Sequence, residues 1–262
     1  MPRPLVTLTT DFGQGSPYVA QMKGVLLRLC PDAEIVDITH GISPQKVRQA
    51  AIVLADVTPW FPASTLHVAV IDPGVGTTRR LVYAEIGTQR YLAPDNGSLS
   101  RLSQGAAVQR VIALENRRYF LPEVSSTFHG RDILAPVAAH LLLGADPADL
   151  GPPLHQTVEL HWPHPHVVSD RLVGEILYVD SFGNLISNIT AHELAARPGD
   201  NAQRIVECAG RQIHGIQATY GVSQTGDIVA LLDSHGRLEI AAVNDNAAKK
   251  LDAHEGTPIV VY

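Results

Sequence analysis

Leu66-His67-Val68-Ala69-Val70-Ile71-Asp72-Pro73-Gly74-Val75-Gly76-Thr77-Thr78-Arg79-Arg80 is the stretch around which the rest of the chain is organised. Its first six residues form an apolar run, which reads as a buried strand. The run stops at an acid, Asp72. Pro73 and two glycines then force a tight loop, and two arginines follow. Loops hung on the ends of buried strands are where α/β proteins place their chemistry. A plain strand-to-helix turn, with an exposed acid and two solvated bases, fits the same local pattern.

Working outward, the N-terminal side predicts a strand over 5–10, a glycine-rich loop over 11–17 and a helix over 18–29 stopped by Pro31. A short strand over 34–38 follows, then Thr39-His40-Gly41 and a helix opened by Pro44 and running through Leu54. On the C-terminal side, 81–86 and 90–93 read as a hairpin leading into the turn Pro94-Asp95-Asn96-Gly97. A strand over 108–114, a polar loop over 125–132 and an apolar helix over 133–143 complete this half. Alternating strands and helices indicate an N-terminal α/β domain with a mainly parallel sheet. Asp11, Asp72 and the Asn96 turn then fall along one sheet edge, outside the strand C-termini.

Between residues 151 and 166 the composition turns proline-rich, which marks a linker. Beyond it, strands over 174–179, 204–207, 227–232, 237–242 and 258–261 come without full crossover helices. Only short helices near 191–196 and 246–251 intervene. This half reads as a smaller, mostly antiparallel β domain. The assigned boundaries are 1–160 for the α/β domain and 161–262 for the β domain.

Bulk properties narrow the function class. The chain has 262 residues, 45% of them hydrophobic, with a mean hydropathy of +0.06. A net charge of -6 and a pI near 6.0 argue against a nucleic-acid binder. Cys30 and Cys208 lie far apart with no CxxC, as expected for reduced thiols of a cytoplasmic protein. Met1-Pro2-Arg3-Pro4 runs straight into the first strand, so no signal peptide is expected, and no apolar run has the length of a membrane span.

Several residues carry chemistry in principle. Asp11, after the first strand, suits two hydrogen bonds from a vicinal diol, and equally suits an N-cap or turn. Its loop is not GxGxxG, which disfavours a dinucleotide site. Asp11-Phe12-Gly13 also lacks every accompanying protein-kinase motif. In Thr127-Phe128-His129-Gly130-Arg131-Asp132, His129 could orient or deprotonate water, or be a surface histidine. Arg131 and Asp132 could simply pair with each other. In Asp180-Ser181-Phe182-Gly183-Asn184, Phe182 suits stacking on a flat heterocycle and Asn184 suits its hydrogen-bonding edge, with an anchored β-turn as the alternative. Ser234-His235-Gly236 reads as a hairpin turn and Asn246 as a helix N-cap. The spacing of His161, His164 and His166 matches no zinc arrangement.

Taken together, Thr9-Thr10-Asp11-Phe12-Gly13, Asp37-Ile38-Thr39-His40-Gly41, Asp72-Pro73-Gly74-Val75-Gly76-Thr77, Ala93-Pro94-Asp95-Asn96-Gly97, Thr127-Phe128-His129-Gly130-Arg131-Asp132, Asp180-Ser181-Phe182-Gly183-Asn184 and Gly236-Arg237-Leu238-Glu239-Ile240-Ala241 resemble the S-adenosyl-L-methionine (SAM) hydrolase family. This family is also called SAM hydroxide adenosyltransferase, and is related to the fluorinating and chlorinating SAM enzymes. The resemblance implies hydrolysis of SAM to adenosine and L-methionine, with SAM as substrate and no cofactor or metal. It implies a homotrimer whose sites lie between the first domain of one subunit and the second domain of the next, with no nucleic-acid or membrane partner. By motif position it implies Asp72, Arg79 and His129 as the catalytic trio, and Asp11 for the ribose hydroxyls. Phe128 would line the substrate site. Phe182 and Asn184 would face adenine, helped by backbone near Asn246 and Ala247, and Asp180 and Ser234 would face the methionine end.

Attack at the ribose C5′ expels a neutral thioether from a sulfonium, so the leaving group needs no acid. The site must supply an oriented, partly desolvated water. The acid at 72 disfavours a halide, and Gly130 offers no side-chain donor to hold one. Two departures from the family pattern concern the methionine end. Ser16 stands where an acid is common, and His235 where fluorinating relatives carry an arginine. The competing readings are a non-catalytic SAM or adenosine binder and a halide-dependent 5′-halo-adenosine synthase.

Overall fold

The computed structural model describes residues 3–262, so Met1 and Pro2 of the N-terminal run lie outside the described residues. The chain divides into two compact units, one ending at Leu160 and the other spanning His161–Tyr262.

The first unit contains β1 (Leu5–Thr10), α1 (Pro17–Leu29), β2 (Glu34–Thr39), α2 (Val47–Val57), β3 (Leu66–Val70), β4 (Leu81–Ile86), β5 (Gln89–Pro94), α3 (Ser100–Gly105), β6 (Val108–Ala113) and α4 (Ala135–Leu142). The strands form one six-stranded sheet ordered β2-β1-β3-β5-β4-β6. β2, β1, β3 and β5 run parallel, while β4 pairs antiparallel with both β5 and β6. β1 and β3 are central and almost wholly buried, which is why their sequences are continuous apolar and threonine runs. Val19, Met22, Val25 and Leu26 of α1 recur at helical spacing and pack with Val6, Leu8 and Val68 of the sheet and with α4.

Two of the boundaries that differ from the sequence expectation bear on the site. Pro44 does not open α2, because Gln45 adopts a left-handed backbone (φ 66°) and the helix starts at Val47. The polar segment expected to extend to Asp132 is helical from Gly130, as a π-helical turn, Gly130–Leu134, that runs directly into α4. α3, a short polar helix, has too little apolar periodicity to announce itself.

The second unit is a nine-stranded sheet made of β7 (His166–Val168), β8 (Arg171–Val179), β9 (Leu185–Thr190), β10 (Ile205–Cys208), β11 (Arg211–His214), β12 (Ile216–Gln217), β13 (Ile228–Leu232), β14 (Arg237–Ala242) and β15 (Pro258–Val261). Its short helices are α5 (Ala191–Ala195) and α6 (Ala247–Leu251). Pairing is antiparallel except between β12 and β13. The architecture is the α/β-plus-β class expected. β9 was not anticipated, because its polar residues are core residues. Ser187 donates to the Leu238 carbonyl (2.7 Å), and Asn188 accepts from the Glu175 N–H (2.8 Å) and donates to the Pro163 carbonyl (3.0 Å). Cys30 and Cys208 are buried, unpaired and in different units.

Candidate active site

In the first unit, chain segments at the strand ends surround a cavity of about 320 Å³ lined by Asp11, Phe12, Gln45, Asp72, Phe128 and His129, among others. Asp11 follows β1. Its loop is braced by His40, whose Nδ1 lies 2.9 Å from Thr10 Oγ1 and whose carbonyl accepts the Gly13 N–H (2.8 Å). His40 is buried, and its Nε2 lies 3.1 Å from Asp37, which also pairs with Lys23. Asp11 Oδ2 accepts the Gln45 N–H (2.8 Å). The left-handed residue that delays α2 therefore delivers a backbone donor to the site acid. Sequence reading missed Gln45, since nothing in its local pattern signals that donor.

The Asp72 loop leaves β3 as the sequence suggested. Its turn is closed by N–H donors of Val75 to the Asp72 carbonyl and of Thr77 to the Gly74 carbonyl. Gly76 has φ 78°, and a Cβ there would collide with the Ser126 carbonyl. Glycine at 76 thus allows the segment carrying His129 to lie directly on this loop. The chain doubles back far enough for Arg79 Nε and Nη2 to donate to Asp72. The distances are 2.9 Å from Nε to Oδ1, 3.0 Å from Nε to Oδ2, and 2.5 Å from Nη2 to Oδ2. Both side chains are largely shielded, at 7% exposure for Asp72 and 12% for Arg79, so the pair sits in a region of weakened solvent screening. Arg80 is not simply solvated, as the plain-turn alternative would have it. It is half-exposed but ion-paired with buried Asp95 (2.5 Å).

His129 immediately precedes the π turn. Gly130 makes that placement possible, since a Cβ there would press on Val70 and Met22. Arg79 Nη2 lies 2.7 Å from His129 Nδ1. A guanidinium has no acceptor, so Arg79 donates and Nδ1 carries the lone pair. The neutral imidazole then bears its proton on Nε2. Burial lowers the pKa of His129, the Arg79 charge lowers it further, and Asp72 and Asp132 oppose less strongly. Behind it, Asp132 is fully buried and accepts from Arg131 and from the Ser125 N–H (2.8 Å). Burial pushes the Asp132 carboxyl up, but those donors outweigh it and hold it below the usual range. Arg131 and Asp132 pair with each other, as anticipated. Phe128 packs edge-on against Phe12 (5.7 Å) and Tyr18 (5.1 Å), forming an aromatic wall of the cavity.

In the second unit a separate cavity of about 710 Å³ is lined by Ser181, Phe182, Asn184, Tyr220, Asn244 and Asn246, among others. Asp180 organises its loop: Oδ1 accepts the N–H groups of Phe182 and Asn184, and Oδ2 accepts Asn184 Nδ2 (3.0 Å). Held this way, the Phe182 ring stands 76% exposed. Asn246 caps α6 through the Lys249 N–H, and Ala247 is buried at the helix start. Asp180, Ser234 and Ala247 are not among the described residues lining this cavity. Ser234 is exposed in the β13–β14 hairpin turn beside His235.

Tyr220 and Glu239 escaped the sequence reading. The Tyr220 hydroxyl donates to Glu239 (2.7 Å), which is 3% exposed on β14. Burial raises the Glu239 pKa, and the charges of Asp180 and Asp233 add to the shift. A glutamate inside the apolar run of 238–242 was the available signal.

Comparison with known proteins accords with this arrangement. Residues 6–151 match the model of the SAM hydroxide adenosyltransferase N-terminal domain, and residues 174–260 match that of its C-terminal domain. An (R)-S-adenosyl-L-methionine hydrolase from Salinispora tropica is 38% identical over 97% of this chain and 96% of its own length. A fluorinase from an Actinoplanes species is more distant, at 28% identity over 91% of this chain and 90% of its own. The crystal structure of an uncharacterised conserved protein from Thermotoga maritima superposes with a TM-score of 0.90 at 36% identity, covering 98% of this chain and 99% of that one. Two domain models matched in order along the chain, together with an extensive match to a hydrolase, establish that this chain belongs to the SAM hydroxide adenosyltransferase family.

Proposed function

We propose that this protein hydrolyses SAM by attack of water on the ribose C5′. A new C5′–O bond forms as the C5′–S bond breaks. The bonding pair passes to sulfur, whose positive charge is lost, and the attacking water gives up a proton. The products are adenosine and L-methionine, and the reaction needs only water as co-substrate.

The observation that carries this reading is the Asp72–Arg79–His129 cluster beside the cavity that also holds Asp11. Arg79 holds and polarises the water. His129 Nδ1 is engaged by Arg79, so in this arrangement the imidazole holds the guanidinium and is not the base. Asp72 retains carboxylate lone pairs beyond those facing Arg79, which makes it the acceptor for the water proton. Two carboxylates near the reacting centre bring negative charge to a site where sulfonium charge disappears. Catalysis then rests on orienting and desolvating the nucleophile, and not on binding the sulfonium tightly.

Asp11 takes the ribose hydroxyls and Phe128 the sugar face. Phe182 and Asn184 take adenine, with the backbone at Asn246 and Ala247. Asp180 and Ser234 take the methionine end. As the family resemblance implies, the working form is a homotrimer in which the second unit of a neighbouring subunit supplies these groups. The exposed Phe182 ring supports that reading.

Incubation of the purified protein with SAM, with adenosine followed by chromatography, tests the activity. Bound but unchanged SAM would favour a binding protein, and 5′-halo-adenosine formed in high chloride or fluoride would favour halide transfer. Sedimentation equilibrium tests the trimer.

A further inference from the structure

We propose that Asp95 and Asn96, on the turn after β5, are positioning residues of the reaction, clamping both ends of the loop that carries Asp72 and Arg79. Asn96 Nδ2 donates to the carbonyl of Ile71, the residue just before Asp72 (2.8 Å). The Asp95 N–H donates to the carbonyl of Arg80, the residue just after Arg79 (2.9 Å). Asp95 Oδ2 also accepts from Arg80 Nε (2.9 Å) and Nη2 (2.5 Å). The clamp is itself anchored. Asn96 Oδ1 accepts the Ser98 N–H, and Asp95 Oδ1 accepts the Val158 N–H (2.8 Å).

An ordinary hairpin would not need these side chains, since backbone pairing of Leu81 with Pro94 already joins β4 to β5. Their partners are instead the two residues that bracket the reacting pair. The adjacent arginines make the register critical. A slip of one residue would offer Arg80 to Asp72. Asp95, with a side chain 2% exposed, gives Arg80 its own carboxylate and leaves Arg79 to Asp72 and His129. Displacing a reacting group by about 1 Å costs on the order of 10²-fold in rate, so a clamp on the loop ends acts on turnover more than on affinity.

The kinetic arm of the test rests on the hydrolase reading, and a spectroscopic arm does not. In the full-length protein, Asn96→Ala and Arg80→Gln are each expected to lower kcat roughly 10- to 100-fold, with KM for SAM moved less than about 3-fold. Arg80→Gln/Asp95→Asn replaces the ion pair with a neutral amide pair and is expected to recover most of the Arg80→Gln loss. The His129 titration, read by NMR, is expected to move up toward the ordinary histidine value in Asn96→Ala, as the Arg79 contact loosens while Asp72, Asp132 and the Ser125 backbone remain. Folded Asn96→Ala with unchanged kcat and unchanged His129 titration would overturn the clamp. So would a loss carried by KM alone, or a double variant that recovers nothing. A wild-type protein that makes no adenosine would sink the hydrolase reading, and the His129 shift would then decide the clamp by itself.

Discussion

The two cavities are built on opposite plans. In the first unit the Asp72–Arg79–His129 cluster is shielded and its members are already engaged with one another. Asp72 and Arg79 are 7% and 12% exposed, and His129 is bonded to the same guanidinium. In the second unit the cavity is about twice as large, 710 Å³ against 320 Å³, and its principal aromatic, Phe182, is 76% exposed. A nucleophile must be oriented before the substrate arrives, because any reorganisation at the moment of reaction adds to the barrier. A flat heterocycle needs a π-face and a few hydrogen bonds, which an open wall provides. The difference accords with the proposal that the first unit carries the reacting groups and the ribose contacts, and the second the adenine contacts.

The sharpest way to break that assignment is Asp72→Ala. It is expected to reduce kcat on the order of 10²- to 10⁴-fold while leaving SAM affinity within a few-fold. Steady-state kinetics alongside calorimetric binding would check this, and parallel loss of both would make Asp72 a binding residue.

Phe182→Ala is the mirror test. Loss of base stacking is expected to weaken SAM binding by roughly 1–3 kcal/mol, with kcat on saturating substrate little changed. Should it lower kcat as far as Asp72→Ala does, the two plans are not separate.

The role of His129 sharpens the first plan. His129→Gln keeps an acceptor for Arg79 and is expected to retain more than about a tenth of wild-type kcat. His129→Ala is expected to lose more. Protonation would set an imidazolium against Arg79 and break the Nδ1 contact. The wild-type rate is therefore expected to hold steady through neutral pH and to fall only below the ordinary histidine range, since burial and Arg79 lower this pKa. A base-type limb surviving in His129→Gln would assign that limb elsewhere.

The smallest effect at neutral pH separates the units by acid stability. His67 in β3 is buried and lies 2.7 Å from Thr7 Oγ1. Burial lowers its pKa from 6.5 to about 4. The unfolded chain then binds the proton first, so stability is full above about 6.5 and is lost as pH falls toward about 4. The loss amounts to about 3 kcal/mol. Glu239 in the second unit shifts the other way. Burial raises its pKa, so the folded form binds its proton first and that site gains stability as pH drops toward the ordinary glutamate range. Hydrogen exchange across pH 4–7 is expected to show the first unit opening before the second, and His67→Gln to flatten the difference. Equal acid sensitivity of the two units would remove this contrast.

What could be read in the chain was local. The apolar run ending at Asp72, the turn at 94–97, the N-cap at Asn246 and the Arg131–Asp132 pair all follow from short-range rules. So does the division into α/β and β halves. Features set by distant partners escaped. Gln45 meets Asp11 across 34 positions, and Tyr220 meets Glu239 across 19. β9 was hidden because polar Ser187 and Asn188 are satisfied inside the sheet, which erases the alternation that marks a half-buried strand.

By itself, then, the sequence determined which residue types stand at the strand ends and where the chain must turn, because strand periodicity, proline and glycine act through their nearest neighbours. Only the tertiary structure decided how Arg79 grips Asp72, which nitrogen of His129 accepts, and that Asp95 and Asn96 hold the loop from both ends. Those outcomes are hydrogen bonds between segments up to 50 residues apart. Their geometry exists only once the sheet has set β3, β5 and the π turn side by side.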